Sequence, residues 1–260
     1  MLASHFIARS LCLIVVPLLI YATCFRVHFA ILNRSGPGDA KMPPSFQARL
    51  RGSPLNRQPF AVAYASQVTL RSMYPGSGLL HSHAHQYPAG SQQQQITCYG
   101  HKDSNNDWII VNAGGLNVTE DPPEPVRNGD IVRLVHKQSG AVLHSHNTHM
   151  AHVTTNDYEV TAYGKPEWKD KNNDWRVEIV SEQSAVQNGE LHAITTQFNL
   201  RHVATKCLLS AAAVRLPEWG FRQTEVSCSR TGGQAGDEAK IWVVEKHVNS
   251  RLAKTDMRPM

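Results

Sequence analysis

The stretch "KDSNNDW", residues 102–108, recurs as "KDKNNDW" at residues 169–175, and both close on tryptophan. A third tryptophan, Trp242, follows Trp175 at the same 67-residue interval that separates Trp108 from Trp175. A fixed period of this kind is the signature of a repeated structural unit. Upstream, "LHSH" at 80–83 returns at 143–146, and the corresponding third string is "CLLSA" at 207–211. Each unit opens on an apolar run ("VTLRS" 68–72, "VRLVH" 132–136, "FNLRH" 198–202). Each continues through a middle run ("QITCY" 95–99, "EVTAY" 159–163, "EVSCS" 225–229) and ends on the Trp run. The runs are short, β-branched and aromatic, and Gly, Pro, Asn and Asp separate them, which is the pattern of strands and turns.

About four strands per unit and three units make about twelve, with no long helix in the body. A period near 65 is too long for a solenoid. The arrangement that closes three such units without leaving sheet edges open is a pseudo-threefold barrel with hairpin caps, an all-β β-trefoil. The repeated tryptophans are expected in the barrel core, and the Asn-Asn pairs in turns that tolerate left-handed φ. Cys98, Ala162 and Cys228 fall at equivalent strand positions and read as small core residues. Pairing of Cys207 with Cys228 inside unit 3 stays open, and three body cysteines exclude a disulfide scaffold.

Strand alternation places Leu80 and Leu143 inward and His81, His83, His144 and His146 outward. With Tyr87 and the amides of Gln92–Gln95, Gln94 among them, these imidazoles suit sugar hydroxyls or a peptide backbone. Two other readings stand beside this pocket. One is a zinc site built on His-x-His-x-His, which lacks a carboxylate or thiol at ligand spacing. The other is scaffold histidines bonded to backbone. No metal is expected.

The chain is 41% hydrophobic and 18% charged, enough to form a core. Its net charge of +5 is scattered rather than gathered in an aromatic-lined stripe, so nucleic acid is not an expected partner. Residues 11–25, "LCLIVVPLLIYATCF", carry no charge. Alone they span ~22 Å as a helix, and extension through "RVHFAIL" reaches the ~30 Å of a bilayer core. A transmembrane helix over 1–32, a cleaved signal peptide and a buried helix are the alternatives, with Pro17 expected to kink a helix. The basic residues that follow the helix favour a cytosolic body by charge alone. Residues 33–60 read as a linker, the barrel as 61–248 (units about 61–115, 128–182 and 191–247), and 249–260 as a tail. Asp39 reads as a structural linker residue. Sequons at Asn33 and Asn117 suit the secretory pathway, with Asn117 the acceptor farther from the membrane.

"LLHSHAHQYPAGSQQQQITCYGHKDSNNDW" (79–108) resembles the first MIR motif of the protein O-mannosyltransferases, while "LPEWGFRQTEVSC" (216–228) and "WVVEKH" (242–247) resemble the end of the third. "HFIARSLCLIVVPLLIY" (5–21) and "HFAILNRSGPGDAKMPPSFQARL" (28–50) resemble the helix and loop that lead into that domain. The resemblance runs from His5 to about Met257 and leans to the type-2 branch. It implies an endoplasmic-reticulum membrane protein, with a luminal MIR trefoil that binds a glycan or acceptor polypeptide. The family moves mannose from dolichyl phosphate mannose to Ser or Thr, and its members pair as two mannosyltransferase subunits. Family members are several times longer and carry their catalytic acidic pair upstream. The chain therefore reads as a segment without catalytic residues or cofactor of its own, inactive alone. The alternative resemblance is to the soluble stromal-cell-derived factor 2 group, whose MIR proteins work with luminal chaperones.

Overall fold

A computed structural model describes residues 2–113, 122–180, 189–231 and 237–258. The chain starts with α1 (Leu2–Ser10), a π-helical turn (Leu11–Val15) and α2 (Val16–Ile31). Pro17 has no N–H to give to the carbonyl four residues back, and the widened π turn sits just before it, where that bond is missing. Ala3–Ile31 forms one apolar helix of 29 residues with none of its apolar window buried, long enough to cross a membrane.

Residues 33–58, expected as a spacer, pack onto the barrel instead. The short α3 (Pro44–Arg49) buries Ala48 and Gln47, and Leu55 joins the central core. Arg71 donates to the Ala40 carbonyl at 3.1 Å, and Lys102 Nζ donates to Gln47 Oε1 at 2.7 Å. Both cations pair with the buried carboxylate of Glu245. Asp39 accepts from the Gly36 N–H at 3.2 Å and holds a local turn.

After β1 (Arg57–Gln58), unit 1 is β2 (Gln67–Ser72), β3 (Leu79–Gln86), β4 (Gln94–Tyr99) and β5 (Trp108–Asn112). Unit 2 is β6 (Ile131–His136), β7 (Val142–Met150), β8 (Tyr158–Tyr163) and β9 (Trp175–Ile179). Unit 3 is β10 (Gln197–His202), β11 (Leu208–Ser210), β12 (Thr224–Glu225), β13 (Ser227–Ser229) and β14 (Trp242–Val248). A last strand, β15 (Thr255–Asp256), returns to pair with β1.

The first and last strands of the units pair in a closed ring, β2–β5–β6–β9–β10–β14–β2, all antiparallel. The middle strands form hairpins, β3–β4, β7–β8 and β11–β13, which join one another through β4–β8, β8–β13 and β4–β12. This is a β-trefoil. Leu70, Ile110, Leu134, Val177, Leu200 and Val244, one from each barrel strand, fill its axis.

The tryptophans set the threefold register. Trp108, Trp175 and Trp242 are 0% exposed. They stand opposite Val68, Val132 and Phe198, the second residues of the first strands. Each indole N–H donates at 3.0 Å to a hairpin carbonyl, that of Leu80, Leu143 or Leu209. Barrel and cap are joined by the same bond three times. Cys207 and Cys228 form a disulfide, with Cα atoms 5.3 Å apart. Cys98 is a buried free thiol that burial holds in its neutral form.

The Asn-Asn pairs differ from expectation. They lie in 3-10 turns, Ser104–Asn106 and Lys171–Asn173, and none has positive φ. Asp103 and Asp170 cap these turns by accepting from the N–H groups of Asn105 and Asn172, at 2.9 Å each. The preference of asparagine for left-handed backbone is not used here, because its side chain has a different task.

Candidate functional site on the hairpin caps

Leu80, His81 and Ser82 are all buried, as are Leu143, His144 and Ser145. The strands alternate as expected, but the outer face of each is itself covered. The 3-10 turn of the same unit folds over it, so His81 and His144 do not face outward. His81 Nδ1 lies 2.8 Å from Asn106 Oδ1, and His144 Nδ1 lies 2.8 Å from Asn173 Oδ1. An amide oxygen only accepts, so each ring donates from Nδ1. Burial lowers both histidine pKa values, against the opposing pull of these hydrogen bonds. These two imidazoles lock the turn onto the hairpin, and the outward placement expected of them is corrected.

Tyr87 is also withdrawn from any ligand. It is 2% exposed, and its hydroxyl lies 2.9 Å from the Ile96 carbonyl and 3.2 Å from that of Val160, joining units 1 and 2. Gln94 is half-buried, and its amide donates to Ser82 Oγ at 2.7 Å and Ser139 Oγ at 3.0 Å. Hairpin packing thus occupies two residues that the sequence offered as contacts. Asn117 lies outside the described residues.

His83 and His146 remain near the surface, half-buried. The His83 ring meets His85 edge-on at 4.9 Å and Phe221 of unit 3 at 5.1 Å. Both of its nitrogens are covered, and neither has a hydrogen-bond partner among the described residues. Its pKa is lowered to about 4, first by burial and then by His81 and His85. His146 accepts the Thr148 N–H at Nδ1, at 3.3 Å, which puts its proton on Nε2. Its ring lies 5.2 Å from that of His149, and burial lowers its pKa as well. At neutral pH both imidazoles are uncharged, and His146 offers its Nε2–H, because its Nδ1 is taken by Thr148.

Several residues that complete this surface escaped the sequence reading. Phe221 is 52% exposed with φ of 57°, followed by Arg222 at 52°. Two successive non-glycine residues in left-handed backbone are unusual. At the junction of the units, His152 stacks on Tyr87 at 4.4 Å and meets Trp219 at 5.1 Å. His152 also bonds Glu159 at 2.8 Å. Burial pushes the Glu159 carboxyl up, but hydrogen bonds from His152 and Ser91 outweigh it and the net shift is down. His136 and His202 lie under the neighbouring tryptophans and bond the carbonyls of Asn105 and Asn172 at 3.1 and 2.9 Å. The sequence showed them only as strand ends. A signal was available, since both end the first strand of their unit. Among the described residues no three His, Cys, Asp or Glu side chains gather where they would hold a metal ion.

Fold and cap together define a three-unit β-trefoil of secretory or membrane type, with one apolar helix and a disulfide. The chain belongs to the MIR domain family, whose model matches residues 78–239. It is 37% identical over 254 residues to dolichyl-phosphate-mannose–protein mannosyltransferase 3 of Saccharomyces cerevisiae, a match covering 96% of this chain and 34% of the relative. It is 38% identical over 253 residues to protein O-mannosyl-transferase 2 of Danio rerio, covering 96% of this chain and 33% of the relative. Among solved structures, the S. cerevisiae protein O-mannosyltransferase Pmt1-Pmt2 complex bound to the sugar donor superposes with a TM-score of 0.79. That match has 34% identity and covers 98% of this chain and 35% of that one. The chain thus spans about a third of the length of the curated relatives it matches.

Proposed function

We propose that this chain is the MIR region of an endoplasmic-reticulum protein O-mannosyltransferase of the type-2 branch, and that its trefoil is a luminal module binding a glycan or acceptor polypeptide. The supporting observation is that similarity to the mannosyltransferases continues beyond the trefoil, through the apolar helix and the docked segment after it, over 96% of the chain. The stand-alone soluble alternative requires this helix to be a cleaved signal sequence, and similarity to the mannosyltransferases through the helix supports the membrane-bound reading instead. In this reading the helix holds the trefoil at the membrane and the docked segment fixes its attitude there. Transfer of mannose from dolichyl phosphate mannose to Ser or Thr is proposed for the whole enzyme, with binding as the trefoil's part. The two-subunit form of the solved relative supports a second mannosyltransferase subunit as partner.

His83 and His146 are the half-buried neutral imidazoles at the cap surface, His146 with an Nε2–H to donate and His83 with its ring beside the exposed Phe221, and they are the groups best suited to a polar, uncharged ligand. The test is calorimetric titration of the full chain in detergent with an acceptor peptide, bare and O-mannosylated. His83→Ala and His146→Ala together are expected to weaken binding about tenfold while the melting temperature holds. Unchanged binding by the double variant, or no binding by the parent chain, would sink the reading. His81 and His144 are unsuitable for this purpose because their removal empties the scaffold.

A further inference from the structure

The segment that follows the apolar helix is built inside out. In α3, Gln47 is 1% exposed, while Phe46, its one large apolar side chain, is 46% exposed. Met42, just ahead of α3, is also 46% exposed. The burial of Gln47 is supported on both sides of its amide. Its Nε2 donates to the Met42 carbonyl at 2.7 Å, and its Oε1 accepts from Lys102 Nζ at 2.7 Å. A buried amide costs free energy unless it is bonded in this way. Water favours the opposite facing, with Phe46 inside and Gln47 outside.

This inverted segment is stapled to the end of the apolar helix. Leu32 still donates to the His28 carbonyl, at 2.8 Å. The next residue, Asn33, accepts from the Arg51 N–H at 2.8 Å, and the Ser35 N–H donates to the Arg51 carbonyl at 2.9 Å. Arg34 and Arg51 thus stand side by side, directly beyond a span whose last apolar residues, Ile31 and Leu32, are 68% and 61% exposed. The Asp39 carboxylate accepts from Ser35 and Gly36, and the Met42 N–H donates to the Asp39 carbonyl at 2.8 Å. Met42 is therefore tied back to the same helix end. Residues 33–58 carry Arg34, Lys41, Arg49, Arg51 and Arg57, all exposed, against the single carboxylate of Asp39.

We infer that residues 34–51 form a foot seated on the lipid surface around the helix. Met42 and Phe46 enter the interfacial layer, and Arg34, Lys41 and Arg51 bond lipid phosphates. Apolar side chains with cations beside them are what an element lying in the plane of that layer presents. An outward phenylalanine over an inward glutamine is favourable where the outside is apolar. Attraction of the cations to anionic headgroups fades within a Debye length, so it acts only on groups held close to the surface, as the Asn33–Arg51 staple holds these. The basic residues after the helix, which by count alone favour a cytosolic body, here have a lipid contact of their own. The inference rests on the reading of the helix as a retained membrane anchor and names the surface that the docked segment meets.

Fluorescence quenching tests it on the full chain in nanodiscs of phosphatidylcholine and phosphatidylinositol. Cys12→Ser and Cys24→Ser remove the exposed thiols, and Cys98 is buried. A bimane label is then attached at Met42→Cys, at Asn147→Cys on the exposed hairpin tip of unit 2, or at Leu19→Cys within the helix. The quenchers are a phospholipid with a nitroxide on its acyl chain near the headgroup, and a water-soluble nickel chelate. The label at 42 is expected to be quenched by the lipid nitroxide about tenfold more than the label at 147, with the reverse order for the chelate. Arg34→Glu with Arg51→Glu reduces lipid quenching at 42 about twofold or more, with melting unchanged. Equal quenching at 42 and 147, with lipid quenching retained at 19, overturns the foot and leaves the membrane anchor standing. A label at 42 shielded from both quenchers marks a protein contact and also overturns the foot. Quenching at 42 unmoved by the charge reversal overturns the phosphate contacts alone. No lipid quenching at 19 overturns the anchor and the foot together.

Discussion

At Trp175 the indole N–H donates to the Leu143 carbonyl and ties the last strand of unit 2 to the hairpin of the same unit. The bond is buried at 3.0 Å with the ring 0% exposed. Trp175→Ala removes both the filled volume and the donor, and a loss of about 3–5 kcal/mol is expected. Trp175→Phe keeps most of the volume but leaves the carbonyl buried without its donor, and about 1–3 kcal/mol is expected. Denaturant melts of the two variants check this order, and a Trp175→Phe variant as stable as the parent would show that the hydrogen bond contributes nothing. The residue scale also explains why the histidines were misplaced. Alternation along β3 and β7 put them correctly on the face opposite the leucines, but whether that face is wet depends on another segment. Asn106 and Asn173, 25 and 29 residues later, dry it by closing the 3-10 turn over it. No local rule encodes that closure.

At the scale of elements, units 1 and 2 hold their hairpins to their turns with a His–Asn bond, and unit 3 does not. Its hairpin strand β11 has Ser210 at the position of His81, and Lys240 stands where Asn106 does. The disulfide between Cys207 and Cys228 lies in this weaker unit, joining the base of β11 to β13 across 21 residues of sequence. For a loop of that length, chain entropy accounts for about 3 kcal/mol. Reduction should therefore destabilise unit 3 selectively. Hydrogen exchange after mild reduction should quicken in 207–229 before it does in β3 or β7, and uniform quickening would count against a local role. Strands, turns and the repeat were legible here because each is written in local periodicity. The packing of α3 and Leu55 on the barrel was not, since a Pro-rich, aperiodic segment looks the same whether it docks or dangles. Its anchors, Lys102 and Arg71 on Glu245, come from distant parts of the chain.

Over the whole molecule the histidines form a common pH response. Burial is the first cause of the lowered pKa of His81, His83, His136, His144, His146, His192, His202 and His247, with His83 and His202 at about 4. In the unfolded chain each titrates near 6.5. Between that value and the folded one the unfolded chain binds more protons. Stability present above pH 6.5 is therefore lost as the pH falls towards 4, by about 1.4 kcal/mol per pH unit for each imidazole fully in that window. The melting temperature should hold from pH 8 to 7 and fall steeply below 6.5. A flat profile down to pH 4.5 would mean that the imidazoles are not dry in solution. At neutral pH the domain lies on the stable side of this slope.

The sequence alone determined the three units, the closed trefoil, the buried tryptophans, the apolar helix and the family, because repeat spacing and hydrophobic period survive in one dimension. The tertiary structure alone decided which polar groups are free. It withdrew His81, His144 and Tyr87 into the scaffold, and it brought Phe221 to His83 and Trp168 to Tyr163 on a loop that Arg133 holds. The physical reason is that a polar side chain is available only when no other group reaches it. In a barrel closed by contacts across the whole chain, the groups that reach it come from far away in sequence.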